Sequence, residues 1–283
     1  MKNFLTPAET ANAFINIGKA KATNTAGKLF VLAILAGCFI GFAAHLATVV
    51  ATGWTIGGMP ALFGLKKFFI GAVFSTGLML VIIPGSELFT GNNLMSIALF
   101  NKDITFGQLL RNWGIVFLGN LVGSIFLAWM FARMSGLTSS NVGATAINIA
   151  AGKVAAVDGH NLQFFFRAIG CNWLVCLAVM MATAAQDIGG KILAIFFPIM
   201  AFVTSGFEHV VANMYFIPAG IFSKHFPGAL SASKIAADPS VLNWGTMWSQ
   251  NMITVLLGNI VGGALLCGGV YWWLYVKNNK KEA

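Results

Sequence analysis

Gly206 to Asn213 reads Gly-Phe-Glu-His-Val-Val-Ala-Asn, GFEHVVAN. It sets a carboxylate (Glu208), an imidazole (His209) and a carboxamide (Asn213) inside a run otherwise apolar enough to lie within a membrane. Ionisable groups at that depth are costly, and they persist where they face a cavity or another polar group. A second stretch, GSELFTGN from Gly85 to Asn92, repeats the pattern. Glu87 aligns with Glu208 and Asn92 with Asn213, so both halves carry G-x-E-x-x-x-x-N. Two interrupted apolar segments in matching places of two halves point to a transporter's binding site.

Composition agrees with a membrane setting. Of 283 residues 58% are hydrophobic and only 9% charged, where a soluble domain carries about a quarter charged. The formal charge of +9 does not mark a nucleic-acid binder, because the basic residues stand between apolar runs rather than on one basic and aromatic surface. They read instead as topology signals and lipid-headgroup contacts. Cys38, Cys171, Cys176 and Cys267 lie in apolar runs without metal-type spacing and read as buried thiols. No metal site or cofactor is expected. Pro7, Glu9 and Asn12 stand where a cleavable signal peptide would need an apolar core.

The expected fold is all-α, with six transmembrane helices. Residues 1–28 read as an amphipathic helix, Pro7 in its first turn, with lysines following. The channel domain covers 29–276. Its spans are Leu29–Thr52, Phe68 to Phe100 with a break, Trp113–Ala132, Ala168–Ala185, Ile192 to Ser223 with a break, and Asn251–Val276. Residues 134–162, carrying Lys153, Asp158 and His160, read as the longest polar connection, and 277–283 as a basic tail. Six spans leave both termini on one side, and more of the Lys and Arg fall on that side, which predicts cytoplasmic termini.

The duplication extends beyond the breaks. NWGIVFLGNLVGSIF (Asn112 to Phe126) parallels NMITVLLGNIVGGAL (Asn251 to Leu265), with a leading Asn and a shared Gly-Asn-x-Val-Gly core. The halves, about 29–133 and 162–276, each hold three spans. An odd number inverts the second copy. The paired glycines allow close helix approach.

An anion cannot enter hydrocarbon without replacement for its water. A helix that stops and restarts within the membrane offers backbone N–H groups and the positive end of its dipole. Unwound backbone there must line a cavity or be buried in protein. Pro84-Gly85, Gly91 and Gly206 supply such breaks, Thr90 adds a hydroxyl to one and His209 an imidazole to the other. For each there is a plainer reading: a threonine bonded back to its own helix, and a satisfied core histidine. Glu87 and Glu208 are expected to accept bonds from the unwound backbone. His45, with no counterpart, reads as a buried or interface histidine.

GSELFTGN, GFEHVVANM, the paired Gly-Asn-x-Val-Gly segments and CNWLVCLA (Cys171 to Ala178) resemble the formate/nitrite transporter family, across essentially the whole chain. That resemblance implies an aquaporin-like fold, a homopentamer with one pore per protomer in a bacterial inner membrane, and passage of formate, nitrite or hydrosulfide. It implies that Thr90 and His209 face each other in the pore. Phe74, Leu78, Leu88 and Phe202 would form apolar constrictions. Lys153 and Asn172 would serve anion attraction and the His209 network, which Glu208 and Asn213 would help to hold. The N-terminal helix would gate the cytoplasmic mouth. A histidine switches charge near neutral pH, so His209 is expected to attract the anion and donate a proton to it. Ser86-Glu87 before Leu-Phe-Thr-Gly departs from the Asp-Leu-Phe-Thr-Ser wording of some formate channels, and leans toward nitrite and hydrosulfide members.

An intramembrane enzyme is the rival class. Glu208-His209 lacks a second His at helical spacing, since position 213 is Asn, and no nucleophile–histidine pairing is legible. No catalytic residue is expected. Asn-Pro-Ala loops of water channels are absent from the sequence.

Overall fold

The computed structural model describes residues 3–54, 62–155 and 161–277. Asp158, His160 and nearly all of the 277–283 tail lie outside the described residues. Among the described residues the chain forms twelve helices, besides two single 3-10 turns. The amphipathic helix α1 (Pro7–Thr23) opens on a capping box between Thr6 and Glu9, with proline in its first turn. α2 is Ala26–Ala51, α3 is Phe63–Ile82, and α4 is the single turn Phe89–Asn92. A tighter turn then leads into α5 (Ser96–Phe100). α6 spans Phe106–Met134, and α7 is Asn141–Val154. α8 is Leu162–Ala184, α9 is Ile188–Ser205, and α10 is Val210–Ser223. α11 (Pro227–Ser231) is short. α12 runs Trp244–Lys277, with several wide, π-type turns along it.

Six of these, α2, α3, α6, α8, α9 and α12, are long and apolar enough to cross a membrane. They leave Leu35, Phe42, Leu118, Phe126, Leu193 and Phe197 exposed. In water such a surface would aggregate; in a bilayer it is where lipid and neighbouring subunits belong.

Several spans begin earlier than the sequence places them. Lys66 and Lys67 sit inside α3, Arg111 inside α6 and Arg167 inside α8. Long basic side chains bury their stems and carry the charge to an interface, so a charge does not end the helix. The 134–162 connection is corrected further, because Asn141–Val154 is a helix. Small residues and four polar ones (Asn141, Thr145, Asn148 and Lys153) dilute its apolar pattern, yet Gly143, Ala144, Ile147, Ala150, Ala151 and Val154 form one buried stripe.

Two glycines set matching close approaches between helices. A Cβ on Gly123 would lie 2.1 Å from the Ile34 carbonyl oxygen, and one on Gly262 would lie 2.2 Å from that of Ile169. They occupy the same place in the two Gly-Asn-x-Val-Gly segments. Each pins the third span of its half against the first, α6 on α2 and α12 on α8. Backbone cannot yield as a side chain tip can. Gly262→Ala is therefore expected to destabilise the protein by about 1–3 kcal/mol, the usual cost of overpacking. Thermal unfolding in detergent measures it, and an unchanged midpoint would remove this account of the motif.

Candidate functional site at the two breaks

After α3 the chain turns at Gly85 (φ 91°), runs extended through Leu88 and restarts as α4. After α9 it turns at Gly206 (φ 78°), runs through Glu208 and restarts as α10. Both left-handed residues are glycine, as that backbone requires. Gly91, expected to help break the second span, lies within α4 instead.

The hydrogen bonds of the two breaks correspond one for one. Glu87 N–H donates to the Leu32 carbonyl, and Glu208 N–H to that of Arg167. Asn120 Nδ2 donates to the carbonyls of Ala33 and Glu87 while its Oδ1 accepts from Phe89 N–H. Asn259 does the same with Ala168, Glu208 and Val210. Asn92 Nδ2 reaches Glu87 Oε2 at 2.6 Å and Asn112 Oδ1 at 2.9 Å. Asn213 Nδ2 reaches Glu208 Oε2 at 2.6 Å and Asn251 Oδ1 at 2.8 Å. Asn112 then donates to the backbone carbonyl of Lys21, and Asn251 to that of Lys153. Each lysine closes its set: Lys21 Nζ lies 2.8 Å from Glu87 Oε2, and Lys153 Nζ 3.0 Å from Glu208 Oε2.

The pattern reaches α1 and α7, beyond the 29–133 and 162–276 boundaries. It also corrects the role expected of the two glutamates. Their carboxylates meet a lysine and an asparagine, because the freed backbone donors at Phe89 and Val210 are already taken by Asn120 and Asn259. Burial without a partner is expensive for every group here. Glu87, Asn92, Asn112, Asn120, Glu208, Asn213, Asn251 and Asn259 are all buried.

The halves meet where Thr90 Oγ1 and His209 Nε2 stand 2.9 Å apart, both buried. His209 is also the N-cap of α10, its Nδ1 accepting from Ala212 N–H at 3.0 Å. An amide N–H can only donate, so Nδ1 is the unprotonated nitrogen and the neutral ring carries its proton on Nε2, donating to Thr90 Oγ1. A second proton on Nδ1 would face that amide and break the cap. Asn172 touches Thr90 rather than His209: its Nδ2 donates to the carbonyls of Thr90 (3.3 Å) and Asn259 (2.7 Å). Cys176 Sγ approaches the same Thr90 oxygen at 3.4 Å.

A cavity of about 570 Å³ opens beside the second break. Lys66, Lys67, Lys153, Lys234, Glu208, His209 and Asn213 line it, together with Phe74, Phe202 and Phe216. The three phenylalanines form one apolar cluster: Phe74 meets Phe202 edge-on at 5.9 Å and stacks with Phe216 at 6.2 Å, while Phe202 stacks on the His209 ring at 5.9 Å. Leu78 and Leu88 are buried in the same core and do not line the cavity. Lys153 sits in the last turn of α7, not in a loop, with its ammonium 5.4 Å from the Phe216 ring centre. His45 hydrogen-bonds the Tyr215 hydroxyl at 3.0 Å, outside this constellation.

Sequence reasoning missed Lys21, Phe216 and the work of Asn120 and Asn259. Lys21 was visible only as one of several lysines after an amphipathic helix. The asparagines lay inside the repeated Gly-Asn pattern, whose glycines alone were read for packing.

Residues 8–273 match the sequence profile described as formate/nitrite transporter. A probable formate transporter of Methanothermobacter thermautotrophicus is 43% identical, covering 97% of this chain and 98% of that protein. The formate channel FocA of Escherichia coli K12 is 36% identical, covering 98% of this chain and 96% of its own length. Among solved structures, a pentameric formate channel with formate bound superposes with a TM-score of 0.76 at 38% identity, covering 89% of this chain and 98% of that one. An FNT family ion channel superposes with a TM-score of 0.79 at 29% identity, covering 93% and 98%. With its duplicated breaks, its central Thr90–His209 contact and these relationships along nearly its whole length, the chain is a multi-pass membrane protein that belongs to the formate/nitrite transporter family.

Proposed function

We propose that the chain is a channel for small monovalent anions, formate foremost, working as a homopentamer in the bacterial inner membrane with both termini cytoplasmic, and that it transports rather than catalyses. The observation that carries this reading is the Thr90–His209 pair, set between two lysine–glutamate pairs whose carboxylates are buried, and covered on one side by phenylalanines. The formate names of the relatives outweigh the lean toward nitrite and hydrosulfide drawn from Ser86-Glu87. The match to a pentameric channel supports the assembly.

In this reading Lys153 and Lys21 supply positive potential at opposite mouths, and Glu208, Asn213 and their mirror images hold each lysine in place. α1 is then the first element of the first repeat, as α7 is of the second, and its contact with Glu87 couples the N-terminal helix to the pore. Phe74, Phe202 and Phe216 strip water from the anion, with Leu78 and Leu88 forming the apolar lining beyond. Thr90 and His209 Nε2–H replace the lost water as hydrogen-bond donors; Asn172 fixes the Thr90 turn. Net proton transfer from His209 needs a second proton on the ring, at the cost of the Ala212 bond, about 1–3 kcal/mol. His209 therefore hydrogen-bonds the anion at every passage, and proton transfer gains weight on acidification, when the neutral acid crosses the phenylalanines.

Uptake of formate, nitrite and hydrosulfide into proteoliposomes at two pH values tests the reading. Formate flux well above that of empty liposomes, rising as the pH falls, is expected. Flux of none of the three would overturn it. Phe202→Ala opens the apolar cluster, so the same vesicles should pass larger monovalent anions such as acetate several-fold faster relative to formate. An unchanged ratio would place the selectivity elsewhere.

A further inference from the structure

The cavity beside the second break carries more positive charge than a monovalent anion requires. Among the described residues that line it, four are lysines and Glu208 is the one carboxylate. Lys153 holds that carboxylate through both oxygens, at 3.2 and 3.0 Å. Lys66, Lys67 and Lys234 are left facing the same space. Lys67 is half-buried, its Nζ 3.7 Å from where a Cβ on Gly206 would stand. The loop bearing Lys234 is tied to α7 by a 2.7 Å bond from the Lys234 amide to Asn148 Oδ1. Thr145 and Asn148 add polar groups to the wall. Beyond lie Phe74 and Phe202 in edge-to-face contact.

We propose that Lys66, Lys67 and Lys234 form a site for a small inorganic dianion of the sulfate type, which binds in this mouth, cannot pass the phenylalanines and blocks the pore from that side. The proposal rests on the anion-channel reading and deepens it. Attraction to three cations that line one cavity scales with the charge of the ligand, so a dianion is held more tightly than a monoanion at the same place. The cost of shedding water rises with the square of the charge, so the same dianion meets a far higher barrier at the apolar cluster. A single protonation carries a monovalent anion through as a neutral acid. It leaves a dianion still charged.

The experiment is formate uptake by proteoliposomes holding the protein with this mouth outward, at fixed ionic strength, with sulfate replacing gluconate in the external medium. Formate uptake is expected to fall at least fivefold at millimolar sulfate, with no sulfate accumulating inside. In the K66Q/K67Q/K234Q variant the half-blocking sulfate concentration should rise at least tenfold, each protein being referred to its own uninhibited formate flux. That flux also reports whether the variant is folded, and each single replacement gives a smaller step of the same sign. Formate flux that ignores sulfate, sulfate that enters the vesicles, or a block that persists in the triple variant each overturns the proposal while leaving the channel reading intact. Absence of formate flux in the unsubstituted protein without sulfate would instead remove the channel reading itself.

Discussion

His209→Asn lowers formate uptake by about ten- to a hundredfold and flattens its pH dependence, while the protein stays folded. The size follows from deleting a hydrogen bond to a charged group in a site without water, about 1.5–3 kcal/mol, with each 1.4 kcal/mol a factor of ten. The choice of asparagine matters because His209 does two things at once. Its Nδ1 caps α10 through Ala212 N–H, and its Nε2 meets Thr90 across the junction of the halves. Asparagine is among the best N-cap residues, so it keeps the cap and removes the ring that reaches Thr90. His209→Ala removes both, adding about 1 kcal/mol of helix destabilisation. Flux in reconstituted vesicles and thermal unfolding of the same preparations separate the two roles. Asparagine with full flux and an unaltered pH profile would sink the pore role; asparagine with collapsed stability would show that the ring is needed for more than the cap.

The breaks were legible because Glu87, Glu208 and His209 are ionisable groups in runs that otherwise tolerate none. Desolvation makes such residues conspicuous, and the duplication made them conspicuous twice. The six spans were legible from length and hydropathy, with ends misplaced wherever a lysine or arginine snorkelled out of a helix. α7 was hidden, since small residues that bury a stripe against other helices have the same composition as a polar loop. Lys21 was hidden because its partner Glu87 is 66 residues away, and no local pattern records a long-range ion pair. Phe216 looked like any lipid-facing phenylalanine until its ring was found against Phe74. Asn120 and Asn259 were in view, but a carboxamide's worth lies in having both donor and acceptor. Only the tertiary arrangement shows three backbone groups converging on each.

The buried ion pairs yield the second large effect. Glu208→Gln is expected to destabilise the protein by about 3 kcal/mol, near the lower end for breaking a buried pair by removing one partner. In the native site Lys153 Nζ and Asn213 Nδ2 both donate to the Glu208 carboxylate, which offers acceptors on each oxygen. A glutamine offers one oxygen, and its amide must then face either the ammonium or the Asn213 amide, donor against donor. The side chains of Lys153 and Glu208 are only 14% and 6% exposed, so little water compensates, although the cavity wall admits some. The double replacement Lys153→Met, Glu208→Gln removes charge and counter-charge together and should be more stable than the Glu208→Gln single variant, a coupling that a double-mutant cycle reads directly. Additive losses would mean that the pair contributes nothing as a pair. Transport should move the other way. With its carboxylate gone, Lys153 presents an uncompensated charge to the cavity, and the formate concentration for half-maximal uptake should fall even as the melting temperature drops. A loss of flux at saturating formate would instead place Glu208 in the passage of the anion and not merely in the positioning of the lysine that draws it in.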